Sequence, residues 1–139
     1  MYPFQKALFV FCVTSSLVIT SAQKSEEPVP SYEDTLHYVQ ERLDGGLEET
    51  SHCSFVYHDG GDWTFDAKSL SPHVSWEDKH EASINCAGGR RCVHYSGSDK
   101  GRNFWLFRAK TDTNRDKIDK AILHLLSLCG VRPGKPDLF

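Results

Sequence analysis

Residues 86–92 read Cys-Ala-Gly-Gly-Arg-Arg-Cys, so two cysteines enclose five residues that include two glycines and two arginines. Two cysteines at this distance can bind a metal ion, form a redox-active pair or close the loop between them with a structural disulfide. Zinc ligands usually come in repeated pairs at closer spacings such as C-x2-C, and oxidoreductases use C-x-x-C. Neither spacing occurs in this chain, so the stretch predicts a structural disulfide that holds Arg90 and Arg91 at a rigid tip.

The N-terminal residues indicate an oxidising compartment, in which disulfides persist. Lys6 is followed by an apolar run over residues 7–19 and by small residues at 20–22, which are the parts of a secretory signal peptide. We expect residues 1–22 to be removed and residues 23–30 to form a flexible linker, leaving a secreted protein, extracellular or periplasmic. An uncleaved membrane anchor is the alternative, but a spanning helix needs about 20 apolar residues and this run is shorter and interrupted by hydroxyls.

The predicted mature chain is acidic. The full sequence has 16 basic and 19 acidic residues, and Lys6 is the only charged residue before position 23, which leaves 15 basic against 19 acidic residues and a net charge of −4 with neutral histidines. This balance argues against nucleic acid or another general polyanion as the partner. A local basic patch is compatible with it.

Two segments have the pattern of amphipathic helices. In the first, Ser31 is a potential N-cap with an acidic residue three positions later, and Gly45-Gly46 ends the segment. Its apolar stripe consists of Tyr32, Leu36, Val39 and Leu43. In the second, Thr113 is the potential N-cap and Gly130 ends the helix. Its apolar stripe consists of Ile118, Ala121, Ile122, Leu125 and Cys129.

Between these helices, short runs that alternate between apolar and polar residues predict about six mostly antiparallel strands. The predicted strands cover residues 53–58, 63–68, 74–76, 82–86, 92–95 and 103–108. One helix at each end of such a sheet predicts a single α+β domain over residues 31–130, whose sheet is covered on one face by helical stripes. Residues 131–139 then form a C-terminal tail.

The four cysteines after residue 22 predict two disulfides with three possible connectivities. They are Cys53, Cys86, Cys92 and Cys129. Cys86 and Cys92 lie on successive predicted strands joined by a five-residue loop, and facing positions of an antiparallel hairpin are within disulfide distance. This pairing leaves Cys53 on the first predicted strand to meet Cys129 at the end of the last helix.

This order of elements resembles the pleckstrin-homology-like layout, in which antiparallel strands precede one C-terminal amphipathic helix. A more specific pattern is similar to small exported domains that are mostly bacterial. It consists of Cys86, Gly88-Gly89, Cys92-Val93, an aromatic strand, the apolar run at 121–126 and Leu128-Cys129-Gly130. The resemblance implies an α+β fold over residues of about 31–130 and no catalytic residue. Lipid binding is not implied, because no basic segment of this sequence matches the phosphate-binding loop of pleckstrin-homology domains.

Seven histidines raise the question of catalysis. Residues 58–62, His-Asp-Gly-Gly-Asp, are a potential metal site at a hairpin end, but this composition is also ordinary turn chemistry. His80-Glu81 begins the zinc motif H-E-x-x-H, which fails because residue 84 is isoleucine. The serines near histidines lack a G-x-S-x-G context. We therefore expect a non-catalytic protein that needs no metal and no other cofactor.

Three functions are compatible with the sequence. The leading one is a binding or accessory module for an unknown protein or other extracytoplasmic ligand. The second is a defence-like protein that contacts an anionic envelope lipid through a disulfide-closed basic hairpin, similar to that of anti-lipopolysaccharide factors but with a shorter loop. Its candidate binding residues are Arg90, Arg91, Lys100 and Arg102. The third is a secreted hydrolase.

Residues 104–107, Phe-Trp-Leu-Phe, are apolar on both faces of a strand and predict either a helical cover or an interface.

Overall fold

The computed structural model describes residues 26–133, which form an α+β fold of two helices and nine short strands. The helices are α1 (Tyr32–Arg42) and α2 (Arg115–Leu128). The strands are β1 (Leu43–Asp44), β2 (Gly46–Ser51), β3 (Ser54–His58), β4 (Asp62–Asp66), β5 (Leu70–Trp76), β6 (Glu81–Cys86), β7 (Val93–Tyr95), β8 (Gly101–Arg102) and β9 (Phe104–Ala109). The predicted fold class and the helix at each end of the strands are confirmed.

The strands divide between two antiparallel sheets, whereas the sequence predicted one sheet of about six strands. The four-stranded sheet has the order β1-β9-β6-β5, and the five-stranded sheet has the order β2-β3-β4-β7-β8. Alternation of apolar and polar residues locates a strand but does not identify its partner, so the pattern alone did not separate the sheets. The chain passes from one sheet to the other between β1 and β2 at Gly45, whose φ is +93°. A Cβ there would lie 2.7 Å from the carbonyl oxygen of His58, so this bend requires glycine.

The N-terminal ends of both helices follow from capping side chains. The Ser31 hydroxyl accepts a hydrogen bond from the backbone N–H of Asp34 at 3.1 Å, as the sequence predicted. At α2 the prediction of Thr113 as the cap is wrong, because the side chain of Asn114 accepts the hydrogen bond from the Lys117 N–H at 3.2 Å. Threonine and asparagine both cap helices well, so residue type alone did not show which of the adjacent residues Thr113 and Asn114 is the N-cap.

At its C-terminal end α1 stops at Arg42, so the prediction that Leu43 belongs to this helix and that Gly45-Gly46 ends it is wrong: Leu43 has extended backbone and begins β1. Gly130 ends the chain's last turn with a φ of +91°, the left-handed conformation expected there.

The core lies between the two sheets and the helices. Phe65 and Tyr57 of the five-stranded sheet contact Trp105 of the four-stranded sheet, with ring centroids 4.7 and 5.8 Å apart. Helix α2 packs on α1 and on β5, where the indole N–H of Trp76 donates to the Asp119 carboxylate at 2.8 Å. The apolar strand Phe104–Ala109 is thus covered inside the fold on the face that carries Trp105, which is 3% exposed.

Tyr57 ties the two sheets together through its buried phenol. Its hydroxyl donates to the carbonyl oxygen of Asp44 and accepts from the Arg108 N–H at 3.2 Å. Asp44 and Arg108 are paired residues of β1 and β9, so one side chain from the five-stranded sheet satisfies two backbone groups of the other sheet. Burial of the ring raises the pKa of Tyr57 to about 12.

Both predicted disulfides are present. Cys53 is bonded to Cys129 with a Cα–Cα distance of 5.7 Å, and Cys86 is bonded to Cys92 with a Cα–Cα distance of 5.8 Å. The prediction that Cys86 and Cys92 face each other across one antiparallel hairpin is wrong. Cys86 ends β6 in the four-stranded sheet, and Cys92 immediately precedes β7 in the five-stranded sheet. That disulfide therefore closes a crossing between sheets and is not a bridge across one hairpin.

Some predictions fall on other parts of the chain. The predicted signal peptide at 1–22, the first part of the linker at 23–25 and the end of the tail at 134–139 lie outside the described residues. Residues 26–30 have no regular secondary structure. No helix between residues 26 and 133 is both long enough and apolar enough to cross a membrane.

Candidate ligand-binding groove

An open groove of about 850 Å³ lies over the outer face of the five-stranded sheet. Phe55 and Phe65 are buried on the inner face, so alternation places their neighbours Ser54, Thr64 and Asp66 on the outer face. We call this depression the cationic groove, after the charged residues of its lining. Its polar lining residues are Thr50, Ser54, Thr64, Asp66, Lys68, Ser69, Arg90, Arg91 and His94.

Strand pairing sets the floor of the cationic groove. Ser54 on β3 faces Asp66 on β4, and Thr64 on β4 faces His94 on β7. Strand β3 is paired along its length with β2 and β4, whereas β7 pairs with β4 only at Trp63 and Thr64. The floor therefore presents mainly the side chains of two paired strands.

The loop between β6 and β7 forms one wall of the cationic groove. Gly88 and Gly89 have φ values of +67° and +69°, and a Cβ on either would meet no atom within 4 Å. The need for glycine at these positions is conformational, since side chains disfavour this left-handed backbone by about 1–2 kcal/mol. The disulfide and a hydrogen bond of 3.2 Å from the Cys92 N–H to the Cys86 sulfur close the loop, which fixes the backbone that carries the two arginines.

The charges in the cationic groove do not cancel. Lys68, Arg90 and Arg91 line it together with one carboxylate, that of Asp66. An oxygen of this carboxylate accepts the Lys68 backbone N–H at 2.9 Å and so caps a short 3-10 turn. Within residues 26–133, none of the three cations forms an ion pair with a protein carboxylate. The formal charge of the chain is −3, so the groove is locally opposite in sign to the whole.

The four candidate binding residues named from the sequence are thus separated. Arg90 and Arg91 line the cationic groove, whereas Lys100 and Arg102 do not. The guanidinium carbon of Arg102 lies 3.3 Å from the centre of the Trp63 ring, in a cation–π contact that occupies its planar face. Lys100 is exposed in the turn before β8.

Sequence reasoning missed Lys68 and His94 as members of the site. Lys68 follows β4 and His94 belongs to β7, and the pairing of these two strands brings the segments together. Alternation along 63–68 was visible in the sequence and put Thr64, Asp66 and Lys68 on one face. The sequence did not show which strand lies beside this one, because strand pairing depends on the tertiary fold.

A histidine between two carboxylates lies elsewhere on the same sheet. The Nδ1 of His58 is 2.5 Å from an Asp62 oxygen, and its Nε2 is 3.1 Å from a Glu48 oxygen. The hydrogen bond with Asp62 and then that with Glu48 raise the pKa of His58. With both ring nitrogens occupied, His58 has no free position for a metal or a substrate. Over residues 26–133 no three His, Cys, Asp or Glu side chains are arranged to hold a metal ion.

The cationic groove contains serine, threonine and histidine but no nucleophile–base pair. The Thr64 hydroxyl donates to the backbone carbonyl of His94 at 3.3 Å and not to its ring. In the part of the chain that the structure describes, no serine or threonine hydroxyl is hydrogen-bonded to a histidine ring. Nucleophilic catalysis by a hydroxyl uses such a contact with a base.

A second groove of about 510 Å³ lies between α1 and α2. Tyr38 and Ala121 line it, and the Nε2 of His124 lies 3.0 Å from the carbonyl oxygen of Pro30 at one end. This contact fastens the segment before α1 to α2. The second groove is smaller than the cationic groove, and its lining combines an apolar surface with the charged residues Asp34, Lys117 and Lys120.

Comparisons of the chain with protein-family models, with curated proteins and with solved structures each found no significant match. The pleckstrin-homology-like layout and the similarity to exported domains therefore stay predictions from the sequence.

Proposed function

We propose that the protein is a small secreted, non-catalytic module that binds an extracytoplasmic ligand in the cationic groove. The observation that carries this proposal is a set of three cations that form no ion pair within residues 26–133 and lie together with hydroxyl groups over the sheet. Unpaired charges gathered in a concave site are what a charged ligand requires, because the ligand then supplies the missing partner.

Secretion is supported by two independent features. The disulfides Cys53–Cys129 and Cys86–Cys92 are compatible with an oxidising extracellular environment. The N-terminal residues 1–22 have the composition of a signal peptide. Together they favour a function outside the cytosol, where a small domain gains stability from disulfides.

Contact with a membrane has less support than the binding of a ligand in the groove. The envelope-lipid hypothesis needs one basic surface formed by Arg90, Arg91, Lys100 and Arg102. Arg102 lies against Trp63, and only the first two residues of this set share the groove. The hydrolase hypothesis lacks a hydroxyl–histidine contact within residues 26–133, as described above.

The proposal is tested by filling the cationic groove. Ser54→Trp places a large side chain on the groove floor, whereas His58→Trp places the same side chain at the far end of the same strand and face, opposite Asp62 and outside the groove lining. The oxidised wild-type protein and both variants are immobilised and exposed to extracellular medium of the source. We expect the wild type and His58→Trp to retain a common ligand that Ser54→Trp loses.

Two readouts accompany this comparison. Circular dichroism and urea denaturation check that both variants are folded. Mass spectrometry of the retained molecule before and after long incubation distinguishes binding from turnover, because a non-catalytic module leaves the mass unchanged. Equal retention by Ser54→Trp and the wild type, or a ligand that is cleaved, would contradict the proposal.

A further inference from the structure

We infer that the ligand of the cationic groove is an anion that carries two or more phosphate or sulfate ester groups. This inference rests on the proposed function and adds the chemical class of the ligand. Carboxylates, phosphates and sulfates all attract cations, so the choice among them depends on the number, type and spacing of the groups in the groove.

The arginines of this protein differ in what they contact. Arg108 pairs with Glu81 at 3.2 Å, Arg102 lies over Trp63, and Arg115 lies 4.5 Å from the centre of the Trp76 ring. Arg90 and Arg91 have neither an ion pair nor a cation–π contact among the described residues. The two arginines of the groove therefore keep their guanidinium groups available, whereas these others are engaged with the protein.

Adjacent arginines match a tetrahedral oxyanion well. Each guanidinium presents a planar fork of N–H donors that fits two oxygens of one phosphate or sulfate. Lys68 adds a compact charge from another segment of the lining, so the groove can neutralise more than one anionic group. A single carboxylate would leave most of these donors without a partner, which favours a multiply charged ester.

The remaining lining fits a hydrophilic ligand. Ser54 and Ser69 offer hydroxyls, and neither hydroxyl donates to another protein group among residues 26–133. Phe55 and Phe65 also line the groove, but these residues are only 2% and 6% exposed. The hydroxyls and cations of the lining suit a sugar or another hydroxylated carrier of the ester groups.

Isothermal titration calorimetry with defined probes tests this inference. The probes are a disulfated disaccharide, the same disaccharide without sulfate, and inorganic pyrophosphate. We expect binding of the sulfated disaccharide and of pyrophosphate but not of the neutral sugar. Affinity should fall when ionic strength rises from about 0.01 M to about 0.15 M, since the screening length shortens from about 30 Å to about 8 Å.

Charge-removing variants locate the contact. Arg91→Gln and Lys68→Gln should each weaken binding of the sulfated disaccharide roughly threefold to tenfold, the range expected for one partly solvated charge contact. Lys100→Gln is the matched control, because it removes an exposed cation outside the groove. A loss of affinity in Lys100→Gln equal to that in Arg91→Gln would overturn the assignment to the groove.

Vesicles distinguish the source of the anionic group. Binding to vesicles of equimolar phosphatidylcholine and phosphatidylglycerol, lost in Arg91→Gln, would support the ester class with a lipid headgroup as its carrier. Binding of the soluble probes alone supports a soluble carrier. If no anionic probe binds in either form, the ester class is wrong, yet the proposed function still stands when the Ser54→Trp comparison identifies another ligand.

Discussion

The two faces of the five-stranded sheet use the same strands for different purposes. On β3 and β4, Phe55, Tyr57 and Phe65 are at most 6% exposed and build the core. Their neighbours Ser54 and Thr64 line the cationic groove on the other face. Because side chains alternate along a strand, one segment of sequence specifies folding and recognition separately. Substitutions on the two faces should therefore have separable effects on stability and on binding.

The disulfides divide in the same way. Cys53 and Cys129 are 0% and 3% exposed and belong to the core, where they join the turn before β3 to the end of α2. Cys92 is a lining residue of the cationic groove, and its disulfide with Cys86 shapes the loop that carries the arginines. The first bridge thus lies wholly in the core, whereas the second joins a core residue, Cys86, which is 3% exposed, to a residue of the groove lining.

The largest effect is expected from removing the core disulfide. In the chain-entropy model, the bridge between Cys53 and Cys129 closes a loop of about 77 residues and contributes about 4.5 kcal/mol. The double variant Cys53→Ala with Cys129→Ala should lose about that much of the free energy of unfolding, measured by urea denaturation. Binding per folded molecule should be unchanged. A loss of less than about 1 kcal/mol of unfolding free energy would contradict the assignment of this disulfide as the main stabilising bridge of the core.

The groove disulfide should give a smaller loss of stability with a clear loss of binding. Its loop of about 7 residues contributes about 2.4 kcal/mol in the same model. The double variant Cys86→Ala with Cys92→Ala should be destabilised by about that amount and should bind the sulfated disaccharide more weakly, because the arginine loop becomes mobile. Calorimetry and urea denaturation measure the two quantities. If the affinity for the sulfated disaccharide is unchanged, the Cys86–Cys92 disulfide does not shape the binding site and the proposed difference between the two bridges is wrong.

Removal of the buried phenol hydroxyl should affect stability alone. Tyr57→Phe leaves the Asp44 carbonyl and the Arg108 N–H without their buried partner, which should cost about 2 kcal/mol of unfolding free energy. Tyr95→Phe is the matched control, because Tyr95 is 37% exposed and its hydroxyl forms no hydrogen bond with another residue in the range 26–133. Equal losses in the two variants, measured by urea denaturation, would contradict the role assigned to Tyr57.

The smallest effect concerns His58 on the outer face and depends on pH. Its pKa is raised above the ordinary 6.5, first by the hydrogen bond with Asp62 and then by that with Glu48. A raised pKa in the folded state means that the contribution to stability is complete below pH 6.5 and is lost as pH rises through the raised pKa. His58→Gln should therefore differ most from the wild type on the acid side. An NMR titration that places the pKa of His58 below 6.5 would refute this expectation.

Much of the fold was readable from local pattern, and the exceptions have physical causes. Capping by Ser31 and the hairpin of β3 and β4 follow from residue types and spacing. Both predicted disulfide pairings are present, although Cys86 and Cys92 do not face each other across one hairpin. Strand β2 was missed because Gly46–Ser51 carries one buried side chain, that of Leu47, among charged and small residues. Such an edge strand is specified by its partner β3 more than by its own propensity.

The site was predicted only in part. Arg90 and Arg91 were identified because two charges inside a disulfide loop are conspicuous in the sequence. Lys68 and His94 were not, because their proximity depends on pairing of β4 with β7 across the chain. Lys100 and Arg102 were predicted to lie beside the two arginines, but the guanidinium of Arg102 stacks on Trp63 and neither residue lines the groove. Tertiary pairing therefore decides which cations lie together.

The separation of Cys53 from its partner by 76 positions has a consequence for biosynthesis. Synthesis proceeds from the N-terminus, so Cys86 and Cys92 become available before Cys129. During that interval Cys53 meets two incorrect thiols and no correct one. We expect early closure of the short Cys86–Cys92 ring to remove both competitors. The left-handed backbone of Gly88 and Gly89, which lets this ring close, should then also favour correct pairing of Cys53 with Cys129.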